Sequence, residues 1–466
     1  MKSSPWWKEA TIYQIYPRSF FDSNGDGEGD LQGITSKLQY VQELGVDAIW
    51  LSPFYTSPNK DGGYDVADPR DVDPRFGNLE DAKKLIEVAH SLGLKVLVDV
   101  VPNHFSDQHV WFQQALKAGR GSPERARFHF HDPKADGTPP NNWISLFGGP
   151  SWTQVEDGQY YLHLFDSSQP DFDWKNEEVR AEFDSVLRFW LDRGAAGFRI
   201  DVAHGMIKVD GLPDVIANNS TMSGQDSPDA VKTEESQDEL IKRLQKENPF
   251  WGQEGVHEIN RRFRKILDEY DDRVMCGEAW VLPLGRMAKY VRPDEYHQTF
   301  NFGYLETPWN KEKLQDVVTE SLTAFGAVGA PSTWVLSNHD VIRHATRMGY
   351  DQVPKQGDGI GPKYEQPDEA KGLRRARAAT GFMLGLPGGA YIYQGEELAV
   401  PEVRDIPEDR LTDPIWKMSE FKDRGRDGCR VPIAWKSSPA GAFGFSINAD
   451  LQPDQAWLPQ SPWWGS

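Results

Sequence analysis

The segment Gly197-Phe198-Arg199-Ile200-Asp201 places an arginine two positions before an aspartate, at the end of an apolar run. Alternation along a β-strand puts Arg199 and Asp201 on the same face. A guanidinium beside a carboxylate favours the ionised form, and an ionised carboxylate can act as a nucleophile at neutral pH. An Arg/Asp pair alone is more often a surface salt bridge, so this interpretation needs support from elsewhere in the chain.

Two further carboxylates close strand-like apolar runs downstream. Glu278 follows Val274-Met275-Cys276-Gly277, and Asp340 ends the run Thr333-Trp334-Val335-Leu336-Ser337-Asn338-His339-Asp340. Catalytic residues of a parallel barrel come from the ends of several different strands. Three acids that each close an apolar run therefore predict one polar cluster at one end of a barrel or sheet.

Short β-rich runs alternate with amphipathic helical patterns along the chain. The predicted strands are 11–16, 47–52, 95–101, 195–201, 273–280, 297–303, 332–337 and 389–394. The predicted helices are 31–44, 79–93, 177–193, 254–270, 310–324 and 369–384. Strands that alternate with helices predict an α/β protein with a parallel sheet, and eight such strands predict a closed (β/α)₈ TIM barrel.

Two connections are too long for simple loops. Residues 104–173 are rich in aromatic residues, Pro and Gly without a helical period, which predicts an irregular domain inserted after strand 3. The barrel would then comprise residues 1–103 and 174–466. Residues 206–252 are polar and predict an active-site loop with some mobility. Pro and Gly interrupt residues 436–466, so the eighth barrel helix is expected to be missing.

Composition excludes several classes of partner. Of the 466 residues, 51 are Lys or Arg and 71 are Asp or Glu, which gives a net charge of −20. This balance argues against nucleic acid and anionic membranes as partners, because phosphates need a positive surface. The chain shows neither an apolar secretory segment nor a membrane-spanning run, and its two cysteines, Cys276 and Cys429, form no disulfide framework. We expect a soluble cytoplasmic protein of unknown oligomeric state.

Several motifs, taken together and in order, resemble the α-amylase superfamily, glycoside hydrolase family 13, and in particular its α-glucosidase and oligo-1,6-glucosidase branch. They are Asp99-Val100-Val101-Pro102-Asn103-His104, Gln169-Pro170-Asp171-Phe172-Asp173-Trp174, Gly197 to Asp201, Gly277-Glu278-Ala279-Trp280 and Asn338-His339-Asp340. The resemblance extends from Ile12 to Trp435. It implies a TIM barrel with an inserted domain B. A C-terminal β-sandwich also belongs to this family pattern and, like the eighth helix, is expected to be missing here.

The resemblance implies a role for each of the three acids. Asp201 would be the nucleophile, Glu278 the acid/base, and Asp340 would stabilise the transition state. A retaining glycosidase needs one ionised carboxylate and one protonated carboxyl group, about 5–5.5 Å apart. Arg199 would keep Asp201 ionised, and apolar neighbours such as Trp280 would raise the pKa of Glu278.

The same resemblance implies residues that hold the sugar. His104 and His339 would donate hydrogen bonds to sugar hydroxyls at the cleavage site. The segment Asp61-Gly62-Gly63-Tyr64-Asp65 resembles the family segment that grips the non-reducing glucose. Tyr64 would stack on the sugar ring, and Asp61 would bind a distal hydroxyl. An Asp-Gly-Gly sequence is equally an ordinary turn.

An arginine beyond strand 8 is expected to pair with Asp61. The segment Arg426-Asp427-Gly428-Cys429-Arg430-Val431-Pro432 occupies that place, with Arg430 as the first choice and Arg426 as the second. Such a pair would close the pocket behind a single glucosyl unit. The enzyme would then be exo-acting.

The segment from Asp22 to Asp30 predicts a calcium loop. Oxygen-bearing side chains occupy positions 1, 3, 5 and 9, with glycine at position 6: Asp22, Asn24, Asp26, Asp30 and Gly27. Glu28 would contribute its backbone carbonyl. Gly33 replaces the final glutamate of an EF-hand, so the resemblance is to the calcium loop after strand 1 in this enzyme branch. A structural Ca²⁺, distant from the chemistry, is expected; Mg²⁺ and a metal-free acidic turn are the alternatives.

The sequence thus predicts a retaining exo-α-glucosidase that acts on short oligosaccharides such as maltose, isomaltose and sucrose. Bond preference stays open, because Phe172 and Asp173 depart from the 1,6-acting pattern whereas Val202 matches it. One alternative is a sucrose isomerase or transglucosylase that uses the same glucosyl-enzyme intermediate. Another is a non-catalytic, transporter-associated relative, but such proteins lack the acids and carry a membrane helix.

Overall fold

Eight parallel strands form the centre of the protein in a computed structural model, which describes residues 5–215, 237–352, 354 and 359–465. They are β1 Thr11–Ile15, β2 Ala48–Leu51, β3 Lys95–Val100, β4 Gly197–Ile200, β5 Val274–Gly277, β6 Gln298–Thr299, β7 Thr333–Val335 and β8 Gly389–Tyr393. Each of them lies within a predicted strand.

The strands pair side by side around a ring. Strand β1 pairs with β2 and β8, and parallel pairing continues from β2 through β3, β4 and β5 to β6, and from β8 to β7. Between β6 and β7, Phe300 forms a parallel bridge with Thr333, and the Asn301 N–H donates to the Thr333 carbonyl at 2.9 Å. The sheet is therefore a nearly closed barrel, which confirms the predicted (β/α)₈ fold.

Six long helices match the predicted helices. They are α1 Leu31–Glu43, α2 Leu79–Ser91, α3 Glu177–Asp192, α4 Val256–Leu267, α5 Lys311–Ala327 and α6 Glu369–Leu384. Five of them begin after an Asp or Asn whose side chain accepts an N–H of the first turn: Asp30, Asn78, Asn176, Asn310 and Asp368. Such caps satisfy helix N–H groups that have no partner within the helix.

Alternation along the strands separates two layers of the core. Ile49 and Val98 belong to the large cluster that includes the apolar faces of the helices. Their neighbours Trp50 and Leu97 belong to a second cluster, together with Cys276 of β5. Because successive side chains of a strand point to opposite faces, this second cluster fills the barrel interior beneath the strand ends.

Strands β4 and β5 approach each other at Gly197. Its φ is +154°, and a Cβ atom built there would lie 1.8 Å from the Val274 carbonyl oxygen. Only glycine fits this contact, because any side chain would overlap the backbone of β5. The close approach fixes the relative position of the two strands that lead to Asp201 and Glu278.

Residues 104–173 contain regular structure of their own. A helix spans Val110–Ala118, and three antiparallel strands follow, with Tyr160–Leu162 between Phe130–His131 and Trp152–Gln154. The expectation of no helix was wrong for Val110–Ala118, a helix of nine residues. Only two of its side chains, Phe112 and Ala115, are buried, so its period is too short to recognise. That this segment is a separate domain stays a prediction.

The remaining connections are short or lie partly outside the described residues. The predicted loop 206–252 includes the helix Gln237–Glu247, which contradicts a continuous loop, while residues 216–236 lie outside the described residues. The other short helices are Leu284–Ala288, Phe302–Glu306, His344–Arg347, Pro414–Met418 and Asp427–Arg430, and a hairpin joins Tyr55–Thr56 to Asp68–Val72. No helix in the described parts of the chain has the length and apolar character needed to cross a membrane.

Candidate active site

A pocket opens at the C-terminal ends of the barrel strands, and all three predicted catalytic acids line it. Asp201 follows β4, Glu278 follows β5, and Asp340 stands beyond β7. Fifteen described residues line the pocket: Asp61, Tyr64, His104, Leu146, Phe147, Phe165, Asp201, Val202, His204, Trp251, Glu278, Trp280, Asp340, Val341 and Arg426. The predicted polar cluster therefore forms at one end of the barrel.

Arg199 binds both carboxyl groups expected to perform the chemistry. Its Nη1 donates to Asp201 Oδ1 at 2.5 Å and to Asp99 Oδ1 at 3.1 Å, and its Nη2 donates to Glu278 Oε2 at 2.6 Å. Only 2% of Arg199 is exposed, so these contacts lie away from bulk water. The predicted pairing of Arg199 with Asp201 is confirmed, and the same guanidinium also holds Glu278.

The charge of Asp201 depends on opposing influences. Burial raises the pKa of this carboxyl group well above its usual range, the Arg199 guanidinium acts in the other direction, and the nearby Glu278 raises the pKa further. Arg199 thus favours ionisation as predicted, but burial and a second carboxyl group outweigh it. Asp201 and Glu278 share the Arg199 guanidinium, so their protons must be considered together.

Glu278 also accepts hydrogen bonds from a backbone N–H and from a tryptophan side chain. Its Oε2 accepts from the Val202 N–H at 3.0 Å, and its Oε1 accepts from Trp280 Nε1 at 2.9 Å. The Trp280 ring stacks on Phe302 with an interplanar angle of 3°. Trp280, expected as an apolar neighbour, is therefore also a hydrogen-bond donor to Glu278.

Asp340 is surrounded by cationic and donor groups. Its Oδ1 accepts from Arg426 Nη1 at 3.0 Å and from Arg430 Nη2 at 2.8 Å, and its Oδ2 lies 3.1 Å from His339 Nε2. Burial opposes ionisation, but these three neighbours outweigh it and hold the pKa of Asp340 below its usual range. The surroundings of Asp340 thus favour a negative charge, whereas those of Asp201 oppose one.

Asp61 pairs with Arg426 rather than with Arg430. Arg426 Nη2 donates to Asp61 Oδ1 at 2.7 Å, while its Nε donates to the buried Asp413 at 2.7 Å. Burial raises the pKa of Asp61, and Arg426 and Arg430 counteract this effect. The pair stands at the edge of the pocket and joins the β2–α2 connection to the segment beyond β8.

The first choice, Arg430, was therefore wrong, and the second choice, Arg426, is the partner of Asp61. The short helix Asp427–Arg430 explains the difference. Arg426 precedes this helix and lines the pocket, whereas Arg430 ends it and is only 2% exposed behind the pocket wall. From there Arg430 Nε donates to the His339 carbonyl at 2.8 Å.

Tyr64 is held at its hydroxyl and along one face. The hydroxyl donates to Asp99 Oδ2 at 3.1 Å, and the ring stacks on His339 at 5.0 Å with an interplanar angle of 4°. Gln14 Nε2 lies 2.8 Å from His339 Nδ1, so Nδ1 accepts a hydrogen bond and the ring proton belongs on Nε2, facing Asp340. Fully buried, His339 supports the pocket from behind and does not line it.

Sequence reasoning missed Asp99, although the motif Asp99–His104 contains it. Asp99 is fully buried and bonds to Arg199, Tyr64 and Trp50. Burial raises the pKa of Asp99 to about 7, against the influence of Arg199. Strand alternation could have identified it, because in the register of β3 with β4 it stands directly beside Arg199.

His104 lines the pocket between two amide side chains. Gln169 Nε2 lies 3.1 Å from His104 Nε2 and donates to Asp61 Oδ2 at 3.0 Å. On the other side, Asn103 Nδ2 lies 3.1 Å from His104 Nδ1. Burial lowers the pKa of His104 to about 4, so the ring is neutral near pH 7. Gln169, also missed from the sequence, ties the 104–173 segment to Asp61.

Aromatic residues of the irregular segments complete the wall. Phe147 and Phe165 come from residues 104–173, and Trp251 comes from the β4–α4 connection. Trp251 stacks on His204, with ring centres 4.6 Å apart. No periodic pattern marks these positions, so the sequence gives no signal that selects them from its many aromatic residues.

The loop predicted to bind calcium uses its side-chain oxygens on its own backbone. Asp22 accepts three N–H groups, from Asn24, Gly25 and Gly27. Asp30 caps α1, and the Glu28 carboxylate pairs with Arg18 at 2.8 Å. Among the described residues, no three His, Cys, Asp or Glu side chains are grouped to hold a metal ion. Calcium binding by this loop stays a prediction.

The fold and the pocket by themselves indicate a class of protein. Carboxyl groups from different strands meet at the C-terminal face of a (β/α)₈ barrel, where enzymes of this fold carry their active sites. Glycoside hydrolysis uses a pair of carboxyl groups, and the pocket offers such a pair in Asp201 and Glu278. Tyr64 and Trp251 add the flat apolar surfaces that suit a sugar ring.

Comparisons with known proteins agree with this class. The profile of the family described as the α-amylase catalytic domain matches residues 14–462. A protein named probable α-glucosidase, from Rhizobium meliloti (strain 1021), is 39% identical over 469 residues, 98% of this chain and 77% of that protein. An oligo-1,6-glucosidase from Heyndrickxia coagulans is 35% identical over 97% of this chain and 79% of its own length.

A solved structure gives the same result. The crystal structure of an α-glucosyl transfer enzyme matches with a TM-score of 0.80 and 37% identity, over 99% of this chain and 79% of that chain. The chain belongs to the α-amylase family of glycoside hydrolases, family 13, as its motifs predict.

Proposed function

We propose that the protein is a retaining, exo-acting α-glucosidase that removes terminal glucose from short α-glucosides such as maltose, isomaltose and sucrose. The observation that supports it best is the pocket itself, where Asp201, Glu278 and Asp340 meet beside an Asp61–Arg426 pair. The similarity to proteins named α-glucosidase and oligo-1,6-glucosidase favours the same substrate class.

In the first step, an oxygen of Asp201 attacks the anomeric carbon and Glu278 gives its proton to the departing glycosidic oxygen. The products are a β-glucosyl ester of Asp201 and the free alcohol. In the second step, the Glu278 carboxylate takes a proton from water, and the resulting oxygen displaces Asp201. Glucose leaves with its α configuration retained. Asp340, kept negative by its cationic neighbours, stabilises the positive charge that develops at the sugar ring.

Glu278 must move within this mechanism. A general acid must reach the departing glycosidic oxygen, whereas Glu278 Oε2 here accepts a hydrogen bond from Arg199 Nη2 at 2.6 Å. Asp201 shares the same guanidinium. We therefore infer that substrate binding turns the Glu278 carboxyl group away from Arg199 towards the glycosidic oxygen, and that Arg199 then serves Asp201 alone.

The exo mode follows from the edge of the pocket. Arg426 bonds at once to Asp61, Asp340 and Asp413, which places a buried ionic cluster across one end. Gln169 bonds to Asp61 from the other side. A glucosyl unit bound against these side chains would meet them as a wall, and we therefore expect only a chain end to be bound.

The nucleophile is tested with Asp201→Ala. We expect turnover of p-nitrophenyl α-glucoside to fall by several orders of magnitude, because no covalent intermediate can form. Sodium azide should restore part of the rate by entering the space of the lost carboxyl group, and it should release β-glucosyl azide, identified by NMR. The exposed Asp214→Ala serves as the control and should behave like the wild type. Unchanged turnover in Asp201→Ala would assign the nucleophile to another residue.

Transfer to a sugar acceptor is the second candidate, because the matched crystal structure is that of an α-glucosyl transfer enzyme. In that reaction a sugar hydroxyl, instead of water, attacks the glucosyl ester of Asp201. Product analysis on sucrose separates the two. Glucose and fructose in equal amounts indicate hydrolysis, whereas isomaltulose, trehalulose or longer glucosides indicate isomerisation or transfer.

A further inference from the structure

A stack of rings runs from the pocket to the surface of the molecule. Tyr64 stacks on His339 at 5.0 Å, His339 on Tyr16 at 5.9 Å, and Tyr16 on Trp457 at 6.2 Å, with interplanar angles of 4°, 25° and 28°. The Arg18 guanidinium covers the outer face of the stack, 4.0 Å from the centre of the Trp457 ring. We call these five side chains the aromatic column.

Both ends of the aromatic column are fixed by hydrogen bonds. At the outer end, Trp457 Nε1 donates to Ser19 Oγ at 3.0 Å, and Arg18 forms two hydrogen bonds with Glu28 at 2.8 and 2.9 Å. At the inner end, the Tyr64 hydroxyl donates to Asp99 at 3.1 Å.

The middle of the column is tied to the segment that carries Asp61 and Tyr64. The Tyr16 hydroxyl lies 3.3 Å from the Gly62 carbonyl, to which it donates. A Cβ atom on Gly62 would approach that hydroxyl to 2.7 Å, so the two groups are packed without spare room. A displaced Tyr16 would therefore press on the Gly62 backbone as well as on His339.

We propose that Trp457, which does not itself line the pocket, is a positioning residue that acts through Tyr16 and His339 to hold the Tyr64 ring in place. The inference rests on the proposed function, in which Tyr64 stacks on the terminal glucose. Close-packed rings transmit a displacement because no free volume absorbs it. Without the Trp457 ring, Tyr16 and then His339 can tilt, and the face of Tyr64 offered to the sugar tilts with them.

The test compares Trp457→Leu with Trp457→Phe on p-nitrophenyl α-glucoside. Loss of the stacked ring in Trp457→Leu should lower kcat/KM about 10-fold, mainly through a higher KM, since one aromatic pair contributes up to about that factor. Trp457→Phe keeps a ring in the stack and should remain within about 3-fold of the wild type. A purely structural role would reduce the active fraction, and so the apparent kcat, at unchanged KM.

Trp435→Leu is the matched control. Trp435 also belongs to the segment after β8, but it packs edge-on against Phe20 and Tyr40, outside the column. Its loss should lower the melting temperature at least as much as Trp457→Leu, without changing KM. A KM raised equally in both variants would overturn the proposal.

A double-mutant cycle tests whether the effect of Trp457 on kcat/KM passes through Tyr64. In a Tyr64→Ala background, Trp457→Leu should change kcat/KM less than 2-fold, because the ring that it positions is gone. A full 10-fold loss in that background would overturn the route through Tyr64. A wild-type protein with no turnover of any α-glucoside would instead refute the proposed function, whereas an active wild type with a normal KM in Trp457→Leu refutes this inference alone.

Discussion

At the scale of single residues, Arg199 influences how charge is shared between Asp201 and Glu278, the proposed nucleophile and acid/base. One guanidinium faces Asp201, Glu278 and Asp99, so it cannot neutralise all three. The arrangement favours a proton held among the acids, and a general acid needs such a proton before the first step. In this view the nucleophile becomes fully ionised when Glu278 turns to the substrate.

The pH dependence of kcat/KM should report how the proton is shared between Asp201 and Glu278. Asp201 must be ionised to attack, and its pKa is raised, so kcat/KM should fall as the pH drops through a value above the ordinary Asp pKa of about 3.9. Glu278→Gln removes one cause of the increase and should move this acid limb to lower pH. The measurement uses α-glucosyl fluoride, whose leaving group needs no acid. An acid limb that stays at the wild-type pH in Glu278→Gln would show that the two groups are not coupled.

A second residue-scale prediction concerns the edge of the pocket. Arg426→Ala leaves Asp61 and Asp413 buried without their main counter-ion, and breaking such a pair costs about 3–5 kcal/mol. We expect kcat/KM to fall at least 100-fold and the melting temperature to fall as well. Arg426→Lys keeps the charge without the fork of donors and should recover only part of the loss. Wild-type kinetics in Arg426→Ala would exclude Arg426 from sugar binding.

At the scale of elements, the site depends on where short strands end and on how closely they approach. Strand β4 has only four residues and β5 also four, yet they lead directly into Asp201 and Glu278 at the same edge of the barrel. The contact of Gly197 with the Val274 carbonyl sets the spacing between β4 and β5. That spacing in turn places Asp201 relative to Glu278.

Gly197→Ala tests this contact. The added methyl group would strain the positive φ and push β5 away, with costs of about 1–3 kcal/mol for each effect. We expect a markedly lower melting temperature and little activity. The control is Gly381→Ala in the interior of α6, where an added Cβ meets nothing within 4 Å. That change should leave activity intact and stabilise the protein by about 0.5–1 kcal/mol. Equal melting temperatures of Gly197→Ala and Gly381→Ala would refute the requirement for glycine at the contact between β4 and β5.

At the scale of the whole molecule, the loop Asp22–Asp30 joins the beginning of the barrel to the segment beyond β8. The Asp22 N–H donates to the Phe445 carbonyl at 2.9 Å, and the Ile447 N–H returns a bond to Asp22 at 3.1 Å. The Trp457 N–H donates to the Gly27 carbonyl at 3.1 Å. The loop thus holds together parts of the chain that are more than 400 positions apart.

Calcium binding, if the sequence prediction is right, should strengthen this junction. We expect millimolar Ca²⁺ to raise the melting temperature by a few degrees relative to EDTA, because a ligand of the folded state stabilises it by about 2.7 kcal/mol at 100 times its Kd. Asp26→Asn should abolish this increase in melting temperature, because it removes a predicted calcium ligand. Asp26 is exposed, so the substitution should disturb the rest of the fold little. Identical melting curves with Ca²⁺ and EDTA would show that the loop is held by its own hydrogen bonds alone.

Strand and helix order could be predicted from the sequence because long periodic segments carry a strong signal. The three acids followed from the same signal, since each closes a run that became a barrel strand. The choice between Arg430 and Arg426 could not be made, because a helix of four residues decides which of them enters the pocket. Gln169 and the aromatic wall depend on how irregular segments fold back over the barrel, which no local pattern records.

The charges of the pocket wall have one more consequence, for ligand selection. The charged side chains among its described lining residues are four acids and one arginine: Asp61, Asp201, Glu278, Asp340 and Arg426. That arginine is already engaged by three carboxylates, and burial lowers the pKa of both pocket histidines to about 4. A phosphorylated sugar would therefore meet repulsion, whereas a sugar mimic with a protonated ring nitrogen would be attracted. The charges of the wall would thus contribute to ligand selection alongside its shape.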